Sequence, residues 1–405
     1  MAPLKMTRRG LIAGTGLFAT AVSLGGPARG EAVGFRTIRA RALTGIVESA
    51  GPTWRYDGIV PGPVLRVRQG EEVLVRLANE LTIPTRVHWH GVRLANAMDG
   101  TALTQGPIMP GESFDYRFAP PDAGTFWYHP LRRAQPDSAL YGLLIVDEKQ
   151  PPEVDRDVAL ILDRPDNGFT ANGLAMLDIP VVTNERLRLR LLNAARDRFV
   201  SLRLDRHPVT VMAIDGQPAE PFMPREGRVT LSPGNRIDLF VDCVLEGGSA
   251  APITAQSDDA EMPLARLVYE KGAPARPAPR TEAKPLPANP LPEKMDFRGA
   301  QRAELVLETT GNKMPGKPLV TVKRGRTVML ALANRGTAPF VVHIHGHSVR
   351  LLDNLDDGWK PFWLDTIVCV PQKTTRIAFV ADNPGKWLIS APGGDEIVAW
   401  FEVAT

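Results

Sequence analysis

Cysteine is nearly missing from this sequence: Cys243 and Cys369 are the two in 405 residues. A disulfide scaffold is excluded, and a chain of this length needs no such staples. The two are expected as buried free thiols, with a single bridge between them left open. Long apolar runs are missing too. The one candidate, Leu11 to Leu24, is short and rich in Gly and Thr, whereas a membrane span needs about 20 apolar residues. Excess charge of either sign is also lacking. The formal charge is +3, and removal of residues 1–30 takes away Lys5, Arg8, Arg9 and Arg29 and no acid, which leaves −1. Nothing basic then remains to attract nucleic acid or anionic lipid, so neither is expected as a partner. The eleven methionines are scattered and form no methionine-rich collector of cuprous ions, and no helical heptad is visible.

Glycine and proline, 36 and 37 residues, supply many turns, as an all-β chain requires. Basic residues, a short apolar stretch and small residues follow one another over residues 1–30, the pattern of an export signal. Arg8-Arg9 after Thr7 makes it the twin-arginine type, with a periplasmic destination.

VLRVRQGEEVLVRLANELTIPTRVHWHG, from Val64, aligns without a gap on LVTVKRGRTVMLALANRGTAPFVVHIHG, from Leu319. Asn79 meets Asn334, His88 meets His343 and His90 meets His345. A fainter copy, VTNERLRLRLLNAARDRFVSLRLDRH, places Asn193 at the same point and puts Leu202 and Leu204 where the other copies have histidines. Three related strand-rich units predict three similar β-sandwich domains. The boundaries read as 31–150, 151–271 (without metal ligands) and 297–405. Residues 272–296 are a proline-rich linker, with seven prolines between Gly272 and Lys294.

Five of the seven histidines fall in two strings, VHWHGVRLANAMDG and VHIHGHSVRLL. Strand alternation sends His88 and His90 to one face, and likewise His343 and His345. Imidazole without carboxylate or thiolate favours copper or zinc over calcium or magnesium. His129 follows the aromatic stretch GTFWYHP. His347, two residues after His345, is expected as a neighbour of the site or a surface group, and His207, in the ligand-free unit, as structural. Trp89, Phe126 and Trp127 read as packing that dries and orients the site.

These residues resemble the multicopper oxidases. PGPVLRVRQGEEV, HWHG, TQGPIMPGESFDYRF, GTFWYH and YGLLIVDE carry the resemblance in the first unit, and HIHGH, DTIVCVP and ADNPGKW carry it in the third. It implies three Greek-key cupredoxin-like sandwiches and copper as cofactor. Carried over by position, His88 and His343 match the type 2 copper ligands. His90 and His129 match two of three ligands of one type 3 copper, and His345 matches one ligand of the other. Asp99, after HWHG, resembles the family's acid that helps move protons; an ordinary Asp-Gly turn is the alternative.

The chain departs from the family elsewhere. Leu131 replaces the second histidine of the usual HSH, and Phe340 replaces a type 1 ligand. Ser390, Ala391 and Pro392 stand where HCH is usual. A blue-copper site, which needs a thiolate with two histidines, is not expected, and four-copper oxygen reduction with it. Two functions remain open: a residual histidine cluster holding one copper or two with limited oxidoreductase activity, or a copper-free scaffold acting in the cell envelope or division machinery through protein contacts.

Overall fold

The computed structural model describes residues 34–43, 54–131, 139–164, 168–257, 260–307, 315–352, 362–391 and 397–405. The leader and Pro392 lie outside the described residues. Alternating segments form strands, and among the described residues the only helices are the 3-10 turns Asn96–Met98 and Arg225–Gly227. No helix among them is long and apolar enough to cross a membrane.

Six sheets pair into three sandwiches. In the first, Trp54–Tyr56, Arg36–Ala42, Val73–Glu80 and Ser113–Phe118 face Leu65–Arg68, Gly142–Asp147, Gly124–His129 and His88–His90. In the third, Gln301–Leu307, Thr327–Asn334, Thr374–Val380 and Arg350–Leu352 face a five-stranded sheet containing Phe340–Ile344, Thr366–Cys369 and Gly385–Ser390. The second is built from sheets of six and five strands. The sequence repeat is a structural repeat. Arg36–Ala42, Arg156–Asp163 and Gln301–Leu307 each run parallel to the strand that carries the shared asparagine.

That asparagine has one job in all three copies. Buried at the strand end, Asn79, Asn193 and Asn334 each donate through Nδ2 to a carbonyl four or five residues on (Ile83, Arg198, Ala338) and to one farther away (Ile108, Leu231, Cys369). Each Oδ1 accepts from the amide two residues on. The amide thus satisfies backbone groups that the strand can no longer pair. Leu202 and Leu204 lie in the apolar core of the second sandwich, so that unit has core where its sisters have imidazoles. Cys243 and Cys369 are free and buried in separate cores, as expected.

The strand Glu185–Asn193, ERLRLRLLN, is buried along its whole length. Leu187, Leu189 and Leu191 fill the core of the second sandwich, and on the opposite face Arg188 and Arg190 reach the first, while Arg186 bonds Asp242 and the Thr281 carbonyl. Arg188 donates to Asp238 and Glu148, and Arg190 donates to Thr125, Asp157 and Asp238. Thr125, on Gly124–His129, donates to Asp238 at 2.7 Å. Charges taken out of water persist only when paired, so this face fixes how the two sandwiches meet. The first and third are joined by Asn96, whose side chain bonds the backbone of Lys386 in both directions, and by Arg93, which bridges Asp122 and Asp382.

The proline-rich stretch contains neither helix nor strand. It does not simply cross the surface: Ala283 and Leu286 pack on Met212 and Phe240. The buried Asn289 bonds the backbone of Ala123 and the side chain of Gln217.

Burial would raise the pKa of Asp157, but the guanidiniums of Arg190, Arg188 and Arg66 hold it at about 2. Its unfolded value is near 4, so the stabilisation it brings is complete above about pH 4 and is lost as pH falls toward 2. Asp157→Asn is expected to lower the urea midpoint at pH 7 and to flatten its decline across that acid window. An unchanged slope there contradicts the assignment.

Candidate metal centre

Register builds the centre. In the first sandwich His88 lies opposite His129 and His90 opposite Trp127. In the third, His343 lies opposite Thr366 on one side and Ser390 on the other. The two edges face each other, and His88, His90, His129, His343 and His345 all converge, each at most 2% exposed. Trp127 stacks on His129 at 3.8 Å between centroids, which orients that ring. Trp89 alternates away into the first core beside Tyr116 and Phe118, and Phe126 packs in the same core.

A neutral imidazole offers one N–H and one lone pair, and the partner of the N–H decides which nitrogen is left. His88 Nδ1 donates to the carbonyl of Asp99 (3.0 Å), His343 Nδ1 to that of Asp365 (3.0 Å) and His129 Nδ1 to that of Pro130 (2.9 Å). A carbonyl can only accept, so in each ring Nε2 is the lone pair. His90 is reversed. The Thr366 hydroxyl donates to Asp365 Oδ1 (2.8 Å) and therefore accepts from His90 Nε2 (3.0 Å), which leaves Nδ1 free.

These lone pairs face one another in twos. His88 Nε2 and His343 Nε2 are 3.1 Å apart, and His90 Nδ1 and His129 Nε2 are 3.3 Å apart. Two acceptors at hydrogen-bond distance with no hydrogen between them repel, unless a cation lies between. Two nitrogens each about 2 Å from one ion, at an angle near 100°, would be about 3.1 Å apart. Burial pushes the pKa of His90 well down, lowers that of His343 and takes His345 to about 3, so protonation is a poor remedy. The donor set therefore fits a metal. His88, His90 and His343 form one group of donors close enough to share an ion, and His88, Asp99 and His345 form another.

His345 is placed differently. Its ring centroid is 4.1 Å from that of His88, but Nδ1 donates to Asp99 Oδ2 (3.1 Å) and Nε2 accepts from the Ser390 hydroxyl (2.8 Å). Asp99 closes the turn Asn96–Met98 and is buried. Burial would raise its pKa, yet His345 and His88 hold it well below the carboxylate range. His347 is no surface group. The strand ends at Ile344, and the ring turns into the third core among Phe379, Trp387 and Phe401. His207 bonds Tyr269 and the Asp205 carbonyl inside the second sandwich, the structural place expected of it.

Three residues that hold the centre went unnoticed in the sequence. Asp365 and Thr366 open the DTIVCVP segment, and Arg236 belongs to the second sandwich. Leu131 is half-buried beside the site, Phe340 packs on the third core, and Cys369 lies opposite it in register.

The comparisons agree with this architecture. Models of the multicopper oxidase family match residues 40–151, 125–245 and 286–390, and the chain belongs to that family. Among its relatives, the multicopper oxidase MmcO of Mycobacterium tuberculosis is 27% identical over 420 residues, covering 85% of this chain and 81% of that protein. Lac15, from a marine microbial metagenome, is 32% identical with a TM-score of 0.79, covering 91% of this chain and 100% of the other. A multicopper oxidase from Pseudomonas thermotolerans is 29% identical with a TM-score of 0.81, covering 92% and 99%.

His347→Leu is expected to leave the metal content per chain unchanged, because no lone pair of His347 faces the cluster. Loss of metal in that variant, measured by elemental analysis, would make it a ligand.

Proposed function

We propose that this is an exported copper protein of the multicopper oxidase family, carried to the periplasm by the twin-arginine route. Copper is held by His88 with His343 and by His90 with His129, and His345 borders the first of these positions. The observation that carries this reading is the opposition of the His88 and His343 lone pairs, each fixed by a carbonyl acceptor behind the ring. Nitrogen donors of this kind favour cupric ion most among the common divalent metals.

Bound copper supplies one-electron redox chemistry and Lewis acidity at the centre. The chain's own residues prepare it. The carbonyls of Asp99, Asp365 and Pro130 fix three tautomers, and Thr366 fixes the fourth. The Asp99 carboxylate accepts from His345 Nδ1 at 3.1 Å through Oδ2, while its Oδ1, without a hydrogen-bond partner, lies 3.2 Å from His88 Nδ1, so it can pass protons to and from those atoms. Trp127 and the surrounding apolar strands keep bulk water out.

Electron entry is where this sequence departs from the family pattern. Neither cysteine lies beside the histidines, and Phe340 and Ala391 offer no copper ligand, so no blue-copper port exists in this reading. Ser390 and Leu131 take two further ligand places, and the activity is limited oxidoreductase chemistry rather than four-copper oxygen reduction. A copper-free scaffold is the competing reading.

The protein purified after native export is expected to contain one or two coppers per chain. They should be lost in His88→Ala combined with His343→Ala, and no intense blue absorption should appear. A metal-free protein whose stability copper does not change leaves the scaffold, and a blue band refutes the ligand assignment.

A further inference from the structure

The second sandwich holds none of the clustered histidines, yet it reaches them. Its hairpin between Val209–Ile214 and Gln217–Phe222 turns through Asp215 and Gly216, both with positive φ (51° and 77°), a two-residue loop of the primed kind. From this turn Asp215 Oδ2 accepts the backbone amides of Asp365 (3.2 Å) and Thr366 (3.0 Å) in the third sandwich. Arg236, on the adjoining strand, donates to both carboxylate oxygens of Asp365, Nη1 to Oδ1 at 2.9 Å and Nη2 to Oδ2 at 2.5 Å. The guanidinium is fully buried and also bonds the carbonyls of Thr125 (3.3 Å), Gly234 (3.1 Å) and Asp215 (3.0 Å).

The carboxylate so gripped is shared by the two histidine pairs. Asp365 Oδ1 lies 3.4 Å from His343 Nδ1 and 3.3 Å from His90 Nε2, and it receives the Thr366 hydroxyl that accepts from His90. A second observation places the ion pair at the centre independently. Gly91, directly after His90, has φ +83°, and a Cβ there would collide with the Arg236 guanidinium and come within 2.5 Å of Asp365 Oδ2. The glycine of HWHG leaves room for this ion pair. In the sister motif HIHG, the same atom on Gly346 would meet the Trp387 ring instead.

We propose that Arg236 is a positioning residue for both copper sites, the means by which the ligand-free sandwich sets the metal affinity of its neighbours. The proposal rests on the reading that the paired histidines hold copper. Without the guanidinium, the two-pronged grip that orients the Asp365 carboxylate is gone, and a buried carboxylate without a counter-charge does not hold its place. Its displacement frees the Thr366 hydroxyl, which no longer has to accept from His90 Nε2, and takes the carboxylate away from His343 Nδ1. The His90 proton can then move to Nδ1, which turns its lone pair away from His129.

The test uses the full exported chain loaded with copper, with affinity read by chelator competition and geometry by the Cu(II) EPR spectrum. Arg236→Met and Asp365→Asn are expected to bind copper about 10- to 100-fold more weakly, the usual effect of losing a partner behind a metal ligand, and to change the EPR hyperfine pattern. Arg236→Lys keeps the charge but not the two-pronged geometry, so it should recover part of the affinity. Arg186→Met is the control for mere destabilisation. It removes another buried arginine of the same sheet, bonded to Asp242 and the Thr281 carbonyl, and should lower the melting temperature while leaving affinity and spectrum alone.

Wild-type affinity and spectrum in Arg236→Met overturn the inference, as does an equal loss in Arg186→Met. Should Arg236→Met fail to fold, Arg236→Lys decides: wild-type behaviour on both readouts overturns the role. A wild-type chain that binds no copper overturns the functional reading and this inference together, whereas wild-type copper with indifferent Arg236 variants overturns the inference alone.

Discussion

Whichever acceptor takes the hydrogen of a neutral imidazole decides where its lone pair points. That constraint sets four buried histidines in facing pairs, with His345 beside them. The acceptors are oxygens behind the rings: carbonyls of Asp99, Pro130 and Asp365, and the hydroxyl of Thr366. They come from the first and third sandwiches, and the second holds one of them in place through Asp365. Slide one sandwich against another and the lone pairs no longer meet.

The packing of the sandwiches is therefore part of the chemistry. Apolar faces alone would permit sliding, because burial of surface is non-directional. Charged groups removed from water are stricter, since each needs its partner at a fixed distance and angle. Arg188 and Arg190 lock the second sandwich to the first in this way, and Arg236 locks the second to the third directly beneath the imidazoles. The unit that lost its histidines retains the role of fixing the geometry of the other two.

Much of this was legible in the sequence. Alternation placed His88 with His90 and His343 with His345, and the ungapped repeat said that the two pairs belong to equivalent strands. The three sandwiches followed from the same alignment, with Asn79, Asn193 and Asn334 as its most constant marks. What stayed hidden depends on contacts between units. RLRLR reads as a strand with one wet face, and nothing local says that another sandwich covers its arginines. His347 stands at the same spacing as the paired histidines, but the strand stops at Ile344 and the ring turns into the core. Asp365 lies twenty residues beyond His345 and Arg236 more than a hundred before it, so only the folded chain brings them together.

The most direct measurement is anomalous diffraction at the copper edge from crystals of the natively loaded protein. The account predicts a peak about 2 Å from both His88 Nε2 and His343 Nε2, with the Nδ1 atoms of both rings still bonded to carbonyls. A copper bound through Nδ1 beside Asp99, or no peak between these two rings, would contradict it.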